Sequence, residues 1–261
     1  MSMRSVAGAT LVFASLVSPL CDVRAQTVAE HIALGDKEYT TLHVDAALRH
    51  FHAAIHADSS NYDALWRASR AESDLGEAMK DADAGAPFFA RAEDLARHAV
   101  RVRPGDAEGH FHLARALGSR ALTLGTRDRI KYGTAVHDEA WAALKLDPKH
   151  PGANHVLGVW NAEIMRLNRV ERFFAKNVLG GGVFGEANWG NAVTFMKKAV
   201  DEQPDRITHR LDYGKVLFDR NQDGDRDLAR QQFERVLKLP VTDPNDAMYK
   251  VEAQDRLKKM S

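Results

Sequence analysis

A single cysteine, Cys21, occurs among the 261 residues, so no disulfide framework can hold this chain together. Net charge is missing as well, because 36 basic side chains balance 36 acidic ones. That balance argues against a nucleic-acid binder driven by bulk electrostatics. Proline is scarce, at 8 residues, and no long β-branched alternation of the kind strands need is present. The apolar run VAGATLVFASLVSPL at 6–20 is shorter than the roughly 20 residues that cross a membrane. Arg4 precedes it and Val23-Arg24-Ala25 follows, so residues 1–25 read as a cleaved export signal, with a retained anchor as the alternative. The expected location is then outside the cytoplasm, in a periplasm. Cleavage after Ala25 would remove Cys21 and any thiol chemistry with it.

What remains, residues 26–261, is helical in pattern and repeats. Leu34-Gly35 is followed by Ala47, Phe51 and Ala54, the spacing of a tetratricopeptide unit of two antiparallel helices, A and B. A small residue where the helices cross and a bulky one opposite define the unit. The phase returns at Ala68-Ser69, Leu113-Ala114, Leu157-Gly158 and Tyr213-Gly214, and B helices end before Pro104, Pro148, Pro204 and Pro240. Units two to four carry extra residues between A and B. Residues 245–260 read as a polar-faced cap. The expected fold is all-α, a right-handed tetratricopeptide-repeat solenoid of about five helix pairs with a C-terminal capping helix.

In such a solenoid the A helices line the concave wall, and the fifth and ninth positions of each unit point into it. The fifth positions are Ile32, Trp66, Phe111, His155 and Leu211; the ninth are Asp36, Arg70, Arg115, Val159 and Lys215. The candidate groove residues are therefore Trp66, Arg70, Phe111, Arg115, His155, Leu211 and Lys215. Aromatic or apolar bodies beside cations suit an acidic protein segment or an anionic phospholipid. The plainer alternative has the apolar members packing neighbouring helices and the cations solvated.

Tyr62-x-x-Leu65-Trp66-Arg67-x-x-Arg70-Ala71, His155-x-x-Gly158-x-Trp160 and the long spacer before Ala192 together resemble the regulator of microtubule dynamics family. The likeness runs from about residue 29 to the C-terminus, through Ala175-Lys176 and Leu239-Pro240. It implies a tetratricopeptide domain without catalytic residues. For eukaryotic members it implies roles in organelle contact, microtubule association and, for one of them, phospholipid binding; the N-terminal signal departs from them and points to a bacterial exported relative.

Other stretches carry weaker signals. EIMRLNRVERFFAKNVL at 163–179 has the composition of a membrane-surface helix, but packing also requires amphipathicity, and an extended A helix packed on the solenoid is the favoured reading. GGGVFG at 180–185 matches a dinucleotide pattern without its strand and reads as a flexible connector. Asp219, Asn221, Asp223 and Asp227 occupy ligand positions of a calcium loop, but Arg230 stands where a bidentate acid belongs, so turn and cap residues are expected there. His52 and His56 have ligand spacing without a third ligand and read as solvated; Glu72 and Asp74 read as ordinary surface charge. No nucleophile–base set can be phased together, so neither catalysis nor a cofactor is expected. The expectation is a non-catalytic scaffold with a cation-lined groove for an amphiphilic anion, with possible peripheral membrane contact. The alternative is an assembly protein docking through its convex face or cap.

Overall fold

The computed structural model describes residues 27–79, 81–177 and 182–260. These form α1 (Val28–Thr40), α2 (Val44–Ala57), α3 (Tyr62–Glu77), α4 (Ala82–Val102), α5 (Ala107–Leu122) and α6 (Thr126–Leu146). They continue with α7 (Pro151–Arg166), α8 (Arg169–Asn177), α9 (Trp189–Glu202), α10 (Ile207–Arg220), α11 (Asp225–Lys238) and α12 (Asp246–Lys259). Residues 1–25, read as an export signal, lie outside the described residues.

Helix starts follow from polar caps. Thr27 and Glu30 satisfy each other's amides in a capping box at α1. Asn61, Asp81 and Asp106 place a side-chain oxygen on the first-turn amides of α3, α4 and α5. Each B helix ends one residue before a cap residue and two before Ser59 or a proline, where the chain cannot continue helical.

The pairs α1/α2, α3/α4, α5/α6, α7/α9 and α10/α11 stack as a tetratricopeptide-repeat solenoid. Their A helices form one row, α1, α3, α5, α7 and α10, and α12 extends that row past the last pair. Gly214 shows why the crossing position is small: a Cβ there would lie 2.5 Å from the Phe233 ring. The middle pairs solve the same crossing with small partners. Ser69 donates to the Ala92 carbonyl at 2.8 Å, and Ala114 and Ala140 are wholly buried. Phe51, Ala96, Ala140, Met196 and Phe233, which share one register, are all sealed from solvent. The extra residues of units two and three lengthen their B helices, α4 and α6, to 21 residues against 14 for α2.

Unit four departs from the sequence expectation twice. Residues 163–177 are not one helix, since α7 stops at Arg166 and Leu167 turns extended, with ψ of 141°; residues 178 and 179 lie outside the described residues. Asn168 then accepts from the Val170 and Glu171 amides while Glu171 accepts from the Asn168 amide, so α8 starts anew. Nor is the stretch before α9 a free connector. Val183–Gly185 forms a 3-10 turn that drives Phe184 fully into the core, stacked on Trp160 at 5.6 Å and lying against Gly133 of α6. Of GGGVFG, residues 180 and 181 lie outside the described residues.

Candidate functional site

The row of A helices surrounds a cavity of about 540 Å³. One flank, built by α5, α6 and α7, is apolar, with Phe111, Ile130, Val136, Trp160 and Ile164. The other, built by α3, α10, α12 and the 243–245 segment, is polar. Five of the residues singled out from the sequence line the cavity: Phe111, Arg115, His155, Leu211 and Lys215. Trp66 and Arg70 do not.

Those two instead join neighbouring units. Trp66 stacks on His112 of α5, with ring centroids 5.2 Å apart and 10° between planes. The Arg67 guanidinium covers the same indole at 4.2 Å and also binds Asp36 of α1 at 2.9 Å. Arg70 lies over the Tyr39 ring at 3.7 Å. Phe111 belongs partly to packing as well, filling the space above Gly152 of α7.

The cations expected to receive an anion are already engaged. Arg115 Nη2 donates to Asp74 at 2.6 Å and to Glu77 at 3.0 Å. Burial alone would lower its pKa, but Glu77 and Asp74 outweigh that and raise it well above the usual value. Lys215 sits 3.0 Å from Asp212 and 3.3 Å from Glu252. Arg206 is paired with Asp243. Among the described lining residues, eight carboxylates (Asp74, Glu77, Asp81, Glu163, Asp212, Asp243, Asp246 and Glu252) face four permanent cations, Arg115, Arg129, Arg206 and Lys215. The expected cation-lined wall is therefore a paired wall with acid in excess. For Arg115 the reason is topological, since both its acids come from α3, whereas Lys215 is met by Asp212 one turn earlier on its own helix and by Glu252 of α12.

One set of contacts was invisible to local spacing. Asn245 donates to the Asp74 carbonyl at 3.0 Å, the Tyr249 hydroxyl donates to Glu77 at 2.8 Å, and the Tyr39 hydroxyl donates to Asp74 at 2.6 Å. Asp243 lies 3.4 Å from the same Tyr39 hydroxyl. The start of the cap thus clasps α1 and α3 across the cavity. Glu72 and Asp74 are not surface charges, being 1% and 4% exposed. Glu72 pairs with Arg91 of α4 at 2.8 Å and lies 3.6 Å from His52. Its burial could have been read from the stripe Leu65, Ala68, Ser69, Glu72, which shares one helix face. The clasp has no such signal.

Histidines divide by environment. His155 meets Asp212 at 2.8 Å and stacks on His209 at 4.8 Å. Burial pushes His112 down to about 4, against the nearby Glu108, and burial also holds His209 well below its usual range. Both enter the fold neutral, whereas an unfolded histidine with its ordinary value of 6.5 takes up a proton. The unfolded state then binds more protons between pH 6.5 and about 4, so stability, complete above that window, declines as pH falls through it. Thermal melts are expected to show this decline, and His112→Phe, which keeps a ring on Trp66, should flatten part of it. An unchanged slope would mean that His112 does not contribute.

The calcium-loop residues serve the α10–α11 turn. Asp219 is held by Arg166 at 2.8 Å, Asn221 is the left-handed C-cap with φ of 52°, and Asp223 and Asp227 are exposed. Among the described residues, no group of three or more His, Cys, Asp or Glu is placed to hold a metal. Also among them, no helix is long and apolar enough to cross a membrane.

The sequence model of the family described as "Regulator of microtubule dynamics protein 1-3" matches residues 32–261. Regulator of microtubule dynamics protein 3 of Bos taurus is 29% identical over 145 residues, 56% of this chain and 30% of that protein. Its Mus musculus counterpart is 27% identical over 116 residues, 44% of this chain and 25% of that protein. The matched stretch is thus less than a third of the length of these curated relatives. A crystal structure of a thermophilic TPR protein from Thermus thermophilus is similar in fold, with a TM-score of 0.61 at 18% identity. That match covers 89% of this chain and 100% of the other.

Proposed function

This chain belongs to the regulator of microtubule dynamics family, and from that premise we propose that it acts as a non-catalytic binding scaffold whose ligand enters the concave cavity. The carrying observation is the apolar flank formed by Phe111, Ile130, Val136, Trp160 and Ile164 around about 540 Å³. That volume falls within the roughly 300–1,000 Å³ of small-molecule sites. The ligand is amphiphilic, either a phospholipid that inserts acyl chain or a protein segment with an apolar anchor. A recessed apolar flank supports the lipid over the segment, because an extended segment needs an open groove. Exposed Val170 and Phe173 on α8 would let the scaffold touch a membrane surface while loading. The export reading of residues 1–25 would place this scaffold in a periplasm. The microtubule role in the relatives' name is not part of the proposal.

Gly118 offers a direct test. It lines the cavity from α5, and a Cβ there would meet nothing within 4 Å. Gly118→Leu is expected to fill the cavity and weaken binding of a fluorescent phospholipid by about tenfold or more. Stability should hold or rise, since leucine favours a helix by roughly 1 kcal/mol over glycine. Unweakened binding in that variant would remove the cavity from the mechanism. A second reading, assembly through the cap, draws on Met248 and Val251, exposed on α12 where another repeat would stack. Loss of a protein partner from Val251→Lys but not from Gly118→Leu would favour it.

A further inference from the structure

The cavity wall holds two deeply buried polar side chains with an atom left unpartnered on the α10–α12 flank. Asp246 is 1% exposed; one carboxylate oxygen accepts from the Thr242 and Asp243 amides at 2.8 Å, and the other, Oδ1, has no partner. His209 is 4% exposed, its ring hydrogen-bonds the Ala199 backbone, and its Nδ1 has no partner. An unpartnered carboxylate oxygen can only accept, and burial makes an unmet acceptor costly. His209 stays neutral and adds no positive charge to this flank.

The charge around them points the same way. Burial raises the Asp243 pKa, and Asp74 and Asp246 raise it further in spite of Arg206. Among the described residues, acids here outnumber the cations that could balance them, and none of those acids belongs to a metal-holding cluster. We propose that this flank receives a primary ammonium group carried on an apolar chain, with the Asp246 carboxylate taking the ammonium and the chain lying toward Trp160 and Ile164. An ammonium has three donors and one positive charge, whereas a phosphate or carboxylate head would meet acceptors and like charge. The assignment rests on the cavity reading above and adds the chemistry of the head. Arg129, on the opposite flank, also has an unpartnered atom, Nε, and it defines the competing outcome.

The test compares dodecylamine, dodecanol and dodecanoate at neutral pH by calorimetry on the intact protein. Dodecylamine is expected to bind about tenfold tighter than dodecanol, with dodecanoate weakest. Asp246→Asn, which keeps an oxygen for the two amides, should erase the amine preference and leave dodecanol binding in place. Should that variant lose its helical signal, Glu252→Gln takes its place, with a reduced preference supporting the assignment and an unchanged one overturning it. Dodecanoate binding tightest would move the head to Arg129 and overturn the proposal. Equal affinities would do so too, leaving the cavity reading intact, whereas no binding by any of the three would end both. Capture of soluble dodecylamine, or extraction of an amine-headed lipid from vesicles, each supports it and tells which source supplies the head.

Discussion

Replacing Arg115 with alanine is expected to destabilise the fold by about 3–5 kcal/mol, the cost of leaving buried charge without its partner. Two carboxylates depend on that one guanidinium nitrogen, Asp74 at 2.6 Å and Glu77 at 3.0 Å. Both are also held by hydroxyls, Tyr39 on Asp74 and Tyr249 on Glu77. Hydroxyls carry no charge, so they cannot balance two acids brought together. The Tyr249 pKa already lies well above its usual value, through burial first and then Glu77. Urea unfolding would read the loss, and hydrogen exchange should rise first at residues 243–249. A shift below about 1 kcal/mol would show that the acids find other donors. Arg115 therefore cannot be removed simply to probe ligand binding.

Phe184→Ala should be nearly as damaging, by about 3–5 kcal/mol, as expected for a fully buried aromatic. The ring touches Gly133 of unit three and stacks on Trp160 of unit four, whose indole N–H donates to the Gly133 carbonyl at 2.7 Å. Its loss opens a space among Leu117, Ile130, Val136 and Ile164 that helices fixed by their own repeats cannot close. Tryptophan emission should shift to longer wavelength as Trp160 meets water. Phe184→Leu should cost less than about 1.5 kcal/mol, because volume is partly kept. A Phe184→Ala loss no larger than that would mean the turn is not an anchor.

Legibility in the sequence tracked distance along the chain. Gly35 with Phe51, or Gly214 with Phe233, lie within one unit, and the repeat phase places them correctly. Glu72 was also readable, since it continues the stripe of Leu65 and Ala68, but its acidic side chain hid its position. Asn168 and Glu171 marked a helix start inside a run that amphipathicity made look continuous. The groove residues divide for a different reason. Repeat position puts Arg115 and Lys215 on the inner wall, but Arg115 is neutralised by Asp74 and Glu77 of another unit, and Lys215 by Glu252 of the cap as well as by Asp212 of its own helix. Trp66 and Arg70 lie earlier on α3 than Asp74 and Glu77, which line the cavity, and they meet His112 and Tyr39 instead. Asn245 and Asp74, 171 residues apart, have no pattern that links them.

That last contact alters how the molecule comes apart. A stack of repeats ordinarily behaves as a chain of neighbours, fraying from either tip and tolerating the loss of a terminal unit. Here Tyr39 and Asp74 near one tip are tied to Asp243, Asn245 and Tyr249 near the other. Neither tip can peel away alone, so the two ends melt together and the assembly gains the all-or-none character of a globular domain. Closing so large a loop raises the contact order, which slows folding in exchange for that cooperativity.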